Sequence, residues 1–494
     1  RRRSLWGPGS RADLGLFVAV LAAVFAWLMW AARPWFLPLS SDGDLTHHLL
    51  LIGFIEQHWT LVHEPIVEAY LGEMVHYTPG SQILAALAGA VARSDGLHAV
   101  HAVVAASVAL KAGLVVLITL RLLPPDVPRI PFALLSGVLL LVPYNYFLGS
   151  FMRESFFAQV AGECFAVAMW WTLSAWDESP WIGLMAVFSL AGAAAFLTWP
   201  VWIGAPMVAL AVLVIARDEL PLAERIRHLA AAVVPVAIIA GLYITGRAGW
   251  MQIVRTAGFI LHPALPEYSW WFLALSTLGL AIAAVQRRGR ATAVFAGAIA
   301  LEMLGLFIAA RTRGNDTPYM ALKMFYLLIY PQAVVATLAV AFFVSRIGLR
   351  LGGTSHVMRY ASWALVAMVG LIAARRLAGM PPPKPAISQS LALAGAWARD
   401  HVPASCVDYM VGETPAAYWL HLSALGNPRM SARTGNDATF DETAAIVRWL
   451  TPGGLPYAIA ELPALPADVR ADLDIVADFG SAAVVKRRGP SSCP

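Results

Sequence analysis

Charge is scarce in this 494-residue chain: Asp, Glu, Lys and Arg together make up 13% of it, against 59% hydrophobic residues. A soluble domain carries roughly a quarter of its residues as charges, so a single water-soluble globule is excluded. The mean hydropathy of +0.66 instead suits a chain that crosses a membrane repeatedly. Cysteine is nearly as scarce, with three residues and no Cys-x-x-Cys spacing, which argues against a thiolate metal centre or a dithiol redox pair. Cys406 and Cys493 both fall in the polar tail and either pair or remain free thiols. The histidines show no HxH or HExxH spacing, and there is no internal repeat or low-complexity tract. A net charge of +5, spread through loops, reads as topology information and not as a nucleic-acid surface.

Long apolar runs are what the chain does have. The first, Leu14–Trp30, is about 17 residues, enough to cross a bilayer. Arg33-Pro34-Trp35-Phe36 follows it where a cleavage site would need small residues, so an uncleaved span is expected. Further spans are expected at Leu97–Leu120, Ile130–Phe147, Phe156–Leu173, Ile182–Leu197, Val201–Ala216 and Leu229–Thr245. Trp271–Val285, Ala293–Ala310, Met320–Val344 and Ala361–Ala374 complete a set of about 11. An odd count places the chain ends on opposite sides. With the N-terminus inside, Arg121, Arg129, Arg217, Arg225, Arg227, Arg287, Arg288, Arg290, Arg346, Arg350 and Arg359 all fall in cytoplasmic loops, as the positive-inside rule asks. Ser81–Ala92 is apolar but too short to span, and is expected to be an interfacial or re-entrant helix.

The expected fold class is therefore an α-helical polytopic membrane protein with a small C-terminal extracytoplasmic α/β domain. Residues 1–380 form the membrane part, whose outer loop 33–96 is longer than a connection needs, and 381–494 form a linker and the outer domain. Pro381-Pro382-Pro383-Lys384-Pro385 is a stiff linker. Beyond it, Leu391–Asp400 and Thr414–Leu425 read as helices, and Cys406–Val411 and Ala482–Lys486 as strands.

In the first outer loop, Asp42-Gly43-Asp44 places two carboxylates on either side of a glycine, free to turn toward one point. Such a pair can hold a divalent cation such as Mg or Mn, or one member can act as base while the other orients it. It can equally be a turn in which Asp44 caps the following helix. His47, His48, His58, His63 and His76 crowd the same loop. Lys111, Glu163 and Glu302 fall inside spans, where charge is costly, and are most simply read as interhelical ion pairs or as residues that lie beyond the true span boundaries.

The order of motifs carries more than any one of them. An acidic motif directly after span one, a surface helix, Tyr77-Thr78-Pro79-Gly80 and a span ending in Arg121-Leu122-Leu123 together resemble the GT-C superfamily of integral-membrane glycosyltransferases. The resemblance covers roughly the first 200 residues. It implies a glycosyltransferase that moves a sugar from a polyprenyl-phosphate donor to a glycan, lipid or protein acceptor at the outer face, with an Asp of the first loop as catalytic base. Asp44 with His48 is similar to the Asp-Pro-x-x-[Asn/His] arrangement of oligosaccharyltransferase catalytic subunits. On this resemblance Asp44, Asp42 and Glu154 are the catalytic candidates. Arg311, Lys323 and Arg153 would bind the donor phosphate, and His48, Tyr77 and His76 the acceptor or sugar. Asp42 and Asp44 are the possible metal ligands. Tyr319-Met320-Ala321-Leu322-Lys323 resembles a Tyr-x-x-x-Lys lipid-phosphate element, and Arg247, Arg255, Trp250, His262 and Trp270 are a weaker set of groove candidates. The implied location is a bacterial inner membrane, with the site and the tail extracytoplasmic.

The chain also departs from the pattern. Leu45 stands where oligosaccharyltransferases carry proline, and the tail has no Trp-Trp-Asp motif, so transfer to a sequon asparagine is not supported. The rival readings are an O-antigen ligase or polymerase, and a transporter of lipid-linked glycans.

Overall fold

The structure is a computed structural model that describes residues 10–34, 36–39, 43–60, 74–75, 77–245, 268–314, 318–351, 355–378, 387–421, 442–471 and 473–493. All eleven expected apolar segments are helical. Among the described residues, six helices are apolar and long enough to cross a membrane: α1 (Ser10–Ala31), α4 (Gly96–Leu122), α10 (Leu222–Thr245), α12 (Arg290–Thr312), α13 (Tyr319–Leu351) and α14 (Ser355–Ala378). The other expected spans are helices that fall short of that length or apolarity: α7 (Phe157–Glu178), α8 (Ile182–Thr198), α9 (Gly204–Ile215) and α11 (Trp270–Val285). The segment expected as one span over Ile130–Phe147 is instead two helices, α5 (Arg129–Leu139) and α6 (Tyr144–Met152), bent by 65°. Pro143 sits at the break, where its missing N–H and fixed φ work against a continuous helix. Arg376 takes up the Val142 carbonyl freed there, donating from Nη1 at 2.9 Å, while its Nη2 reaches Ser269 Oγ at 2.7 Å.

The described chain divides into two compact units, the first comprising Arg1–Trp27, Ala105–Phe151 and Ala158–Pro382, and the second Leu28–Val104, Met152–Phe157 and Pro383–Pro494. In the first unit, one end is tied by a run of ion pairs. Arg129 bonds Asp13 at the start of α1, and Arg121 bonds Glu178 at the end of α7. Asp177 accepts from both Arg217 and Arg290, and Glu219 from Arg217 and Arg287. Arg121, Arg129, Arg217, Arg287 and Arg290, five of the arginines expected in cytoplasmic loops, thus share one end, which requires the intervening helices to alternate in direction. Helices α11 and α13 pack closely because residue 279 is glycine: a Cβ there would lie 1.7 Å from the Val335 carbonyl oxygen.

The most deeply buried charges of this unit, Lys111 and Glu163, compensate each other. Lys111 Nζ meets Glu163 Oε2 at 2.5 Å with both side chains fully buried. Gln159 Nε2 donates to Glu163 Oε1 at 3.0 Å, and the Tyr330 hydroxyl to Oε2 at 2.6 Å. The interhelical pair read from sequence is therefore present for Lys111 and Glu163. Glu302 takes a different partner, the Ala205 backbone N–H at the start of α9, where the helix dipole favours a negative group.

In the second unit, α2 (Gly43–His58) packs on α3 (Gly80–Ala92). The 13 residues of α3 rise about 20 Å, short of a bilayer core. It ends at Arg93 in the left-handed region, with Ser94 N–H bonded to the Gly89 carbonyl. The chain then folds back so tightly that a Cβ on Gly89 would lie 2.5 Å from the Asp95 carbonyl carbon.

The C-terminal part of this unit is a four-stranded sheet in the order β1 (Val407–Met410), β2 (Tyr457–Glu461), β4 (Ala482–Lys486), β3 (Asp474–Asp478). The β1–β2 pair is parallel and the other two are antiparallel. Helix α15 (Gln389–His401), capped by Ser388, packs on β2 and β4. Helix α17 (Glu442–Leu450) lies on β1, where Arg448 grips Asp408 with two hydrogen bonds. The first strand and the last, and helix α15, agree with expectation, whereas β2, β3 and α17 were not foreseen. Only Thr414–Leu420, here α16, is described as helix within the expected Thr414–Leu425. Cys406 and Cys493 are joined as a disulfide with Cα atoms 4.9 Å apart, which settles the alternative left open by the sequence.

Candidate functional site

The first candidate region is built around α2. Its backbone begins at Gly43, so Asp44 lies in the first turn and His48 one turn later, on the same helical face. The Asp44 side chain, and Asp42 and His76 as a whole, lie outside the described residues. His48 is 4% exposed. Three segments of the second unit converge on its ring. From the Tyr-Thr-Pro-Gly segment, Tyr77 meets it edge-on at 5.7 Å between centroids. From the turn after α6, Phe157 stacks on it at 5.7 Å and 18°. From the start of α3, Gln82 Nε2 lies 2.7 Å from its Nδ1.

The hydrogen-bond chain assigns the donors. Ser81 Oγ donates to Gln82 Oε1 at 2.9 Å, which leaves Gln82 Nε2 as the donor toward His48. The imidazole Nδ1 then accepts, and its proton resides on Nε2. Ser81, Gln82 and Thr78 are all buried, so this is a fixed network and not a surface contact. Proline at 79 and the N-terminus of α3 explain its position: the helix can begin after the proline and its first turn brings Gln82 to α2.

The turn that ends in Phe157 carries two more candidates. Arg153 and Glu154 pair with each other at 3.4 Å, with side chains 69% and 23% exposed respectively. Ser155 follows with φ 52°, a left-handed conformation that costs a non-glycine residue of order 1 kcal/mol or more. That reversal allows the Phe157 N–H to bond the Ser155 carbonyl at 2.7 Å and sends the Phe157 ring onto His48. Asp44 and Glu154 thus belong to backbone segments that the same imidazole joins.

The second candidate region lies in the first unit. Lys323 occupies the first turn of α13, is 1% exposed, and has its ammonium over the rings of Tyr319 at 5.1 Å and Tyr326 at 5.4 Å. Tyr326 in turn meets Tyr146 edge-on at 4.8 Å, and Tyr146 lies 5.2 Å from Tyr268. Arg311, at the end of α12, is exposed and lies over Phe307 at 5.5 Å. Two cations of very different solvation thus flank the α12–α13 connection. Arg247, Trp250, Arg255 and His262 lie outside the described residues, while Trp270 begins α11 and is exposed. Among the described residues, no group of three or more His, Cys, Asp or Glu side chains is arranged to hold a metal. A cation site would depend on Asp42 and Asp44, whose side chains are outside that set.

Sequence motifs pointed to α2, to the Tyr-Thr-Pro-Gly segment and to Glu154 as separate features. What they missed was Gln82, whose only signal was a polar residue in an otherwise apolar helix.

No family model matches the sequence, and a search of curated proteins finds no match. Solved structures are. ArnT from Cupriavidus metallidurans bound to undecaprenyl phosphate aligns over 97% of this chain and 98% of its own, with a TM-score of 0.54 and 14% identity. ArnT in the apo state aligns equally broadly, at 0.54 and 15%. The oligosaccharyltransferase of Archaeoglobus fulgidus in the apo form aligns over 91% of this chain and 69% of its own, at 0.52 and 13%. The chain therefore has the fold of the GT-C glycosyltransferases, the superfamily that its sequence motifs resemble.

Proposed function

We propose that this protein is an inverting glycosyltransferase that moves a sugar from a polyprenyl-phosphate donor to an acceptor hydroxyl at the outer membrane face. The observation that carries the reading is the junction at His48, which ties the helix bearing Asp44 to the Tyr77 segment and to the Glu154 turn, within a fold shared with a protein that binds undecaprenyl phosphate. Asp44 takes the proton from the acceptor hydroxyl as its oxygen forms a bond to the anomeric carbon. The bond from that carbon to the phosphate oxygen breaks, and polyprenyl phosphate leaves with the electron pair. Glu154 assists on the acceptor side. Lys323, desolvated among tyrosines, and Arg311 balance the charge that grows on the leaving phosphate. If a divalent ion takes part, Asp42 and Asp44 would hold it. The sugar rings stack on outer-loop aromatics such as Tyr77.

Two features support the proposed sidedness of the helical bundle and of the tail. Arginine-rich loops gather at one end of the first unit, as the cytoplasmic side requires. The Cys406–Cys493 disulfide fits an oxidising compartment such as the periplasm.

The test is transfer from a polyprenyl-phosphate sugar panel in proteoliposomes, read as release of polyprenyl phosphate together with glycosylated acceptor. Asp44→Asn is expected to lower the rate about 10²- to 10⁴-fold. Undiminished transfer by this variant would remove Asp44 as base and favour a ligase-type mechanism based on arginine and histidine.

A further inference from the structure

We infer that His48 and Gln82 are positioning residues for the transfer reaction: Gln82 holds the neutral His48 imidazole in one tautomer, and that ring fixes the first turn of α2 against the Glu154 turn. The inference rests on the reading of Asp44 as the base.

The geometry leaves the imidazole little freedom. One ring face is covered by Phe157, an edge meets Tyr77, and Nδ1 is occupied by the Gln82 amide, so that only 4% of the residue meets solvent. A ring enclosed in this way offers a substrate almost no surface. It does offer a lever, because residue 48 is one turn from residue 44 and any rotation or slide of His48 moves that turn with it. The other end of the lever is anchored through Phe157 to the left-handed Ser155 and so to Glu154. Displacement of a reacting group by about 1 Å costs on the order of 100-fold in rate, so a small loss of this fit is enough to be read kinetically.

Gln82 has a directional task. Its oxygen is held by Ser81, so its amide N–H is what faces His48 Nδ1. Glutamate at this position keeps the shape but accepts a proton where glutamine donates one, which forces Nδ1 to become the protonated nitrogen. Methionine keeps the approximate volume and removes the hydrogen bond altogether.

The experiment measures kcat and KM for donor and acceptor in the full-length protein carrying Gln82→Glu, Gln82→Met or Phe157→Leu, beside Asp44→Asn. The two Gln82 variants are expected to lose about 10- to 100-fold in kcat with both KM values within about twofold of the parent. Gln82→Asn in combination with His48→Gln, which restores an amide pair, is expected to recover part of kcat. If a Gln82 variant does not fold, Phe157→Leu supplies the same readout without removing a hydrogen bond. Parental kcat in the Gln82 variants overturns the inference while leaving the Asp44 reading intact. A selective rise in KM also overturns it, because it places His48 or Gln82 against substrate. Full activity of Asp44→Asn removes the reading on which the inference rests.

Discussion

Lys111 and Glu163 meet at 2.5 Å with neither side chain exposed, 52 residues apart in sequence and on different helices. Tyr330 donates to the same carboxylate oxygen at 2.6 Å, so α4, α7 and α13 are joined at one point. A buried pair of this kind is more costly to break than to replace. Removing one partner leaves a charge in a medium that cannot solvate it, a loss of about 3–5 kcal/mol, whereas an apolar pair of similar volume forfeits far less. Lys111→Met and Glu163→Leu are each expected to lower the melting temperature in detergent, and the double variant to melt above either single one. A double variant that melts at the sum of the two losses would show that the pair is not coupled.

The sequence disclosed the local features and hid the pairings. Each apolar run announced a helix, because period and length are written in neighbouring residues, and the arginine bias ordered their ends. The break at Pro143 was visible as a proline but was absorbed into one span, since composition does not distinguish a bend from a boundary. Strand β2 lies at the centre of the sheet, buried along its middle, and its short apolar run Tyr457–Glu461 carries no alternation to mark it. At the candidate site the motifs for Asp44, Tyr77 and Glu154 could be read, yet the contact of His48 with Gln82 spans 34 residues and follows from packing of α2 on α3, which no local pattern records.

Two carboxylates near the α3–α4 turn give opposite pH responses. Burial raises the Glu56 carboxyl above its ordinary 4.5, although its Oε1 accepts the Gly96 N–H at 2.5 Å. Burial also pushes Asp95 upward, but the His98 side-chain hydrogen bond and charge, the His98 backbone N–H and Arg399 outweigh it and hold Asp95 below 3.8. At neutral pH the fold thus carries the cost of an ionised Glu56, a cost that fades as pH falls through its raised folded value toward 4.5. The Asp95 contribution is present above 3.8 and is lost as pH falls through its lower folded value. Glu56→Gln keeps an acceptor for Gly96 and is expected to raise the melting temperature at pH 7 and to change it little at pH 4. Asp95→Asn is expected to lower it at pH 7, with the difference shrinking in acid. Melting curves of both variants between pH 7 and 3 check the signs.

The disulfide closes a sequence separation of 87 residues around the sheet. Cross-linking a loop of that length removes chain entropy from the unfolded tail worth about 4–5 kcal/mol on the loop-closure model. Cys406→Ser is expected to make the C-terminal region more sensitive to protease while the helical bundle, which contains the buried Cys164, stays protected. Thiol titration of the denatured, unreduced protein should find one free cysteine; three would show that the bridge does not form.

Lys323 and Arg311 separate by solvation, and that difference sets the size of their expected effects. Arg311 is exposed at the end of α12, where water already screens its charge, so its attraction for a leaving phosphate is weak. Lys323 is 1% exposed between two tyrosine rings, where a charge acts through a poorly screening medium and its position is fixed before any substrate arrives. Lys323→Met should lower kcat about 10-fold or more, the effect of removing a fixed buried charge whose field, and not a direct contact, stabilises the charge that develops on the phosphate. Arg311→Ala should cost less than about tenfold, mainly in donor KM and with a dependence on ionic strength. Single-turnover rates with a polyprenyl-phosphate sugar, measured at two salt concentrations, separate the two. Equal losses at both positions would mean that burial does not set their roles, and a Lys323→Met enzyme with full kcat would move the phosphate away from the start of α13.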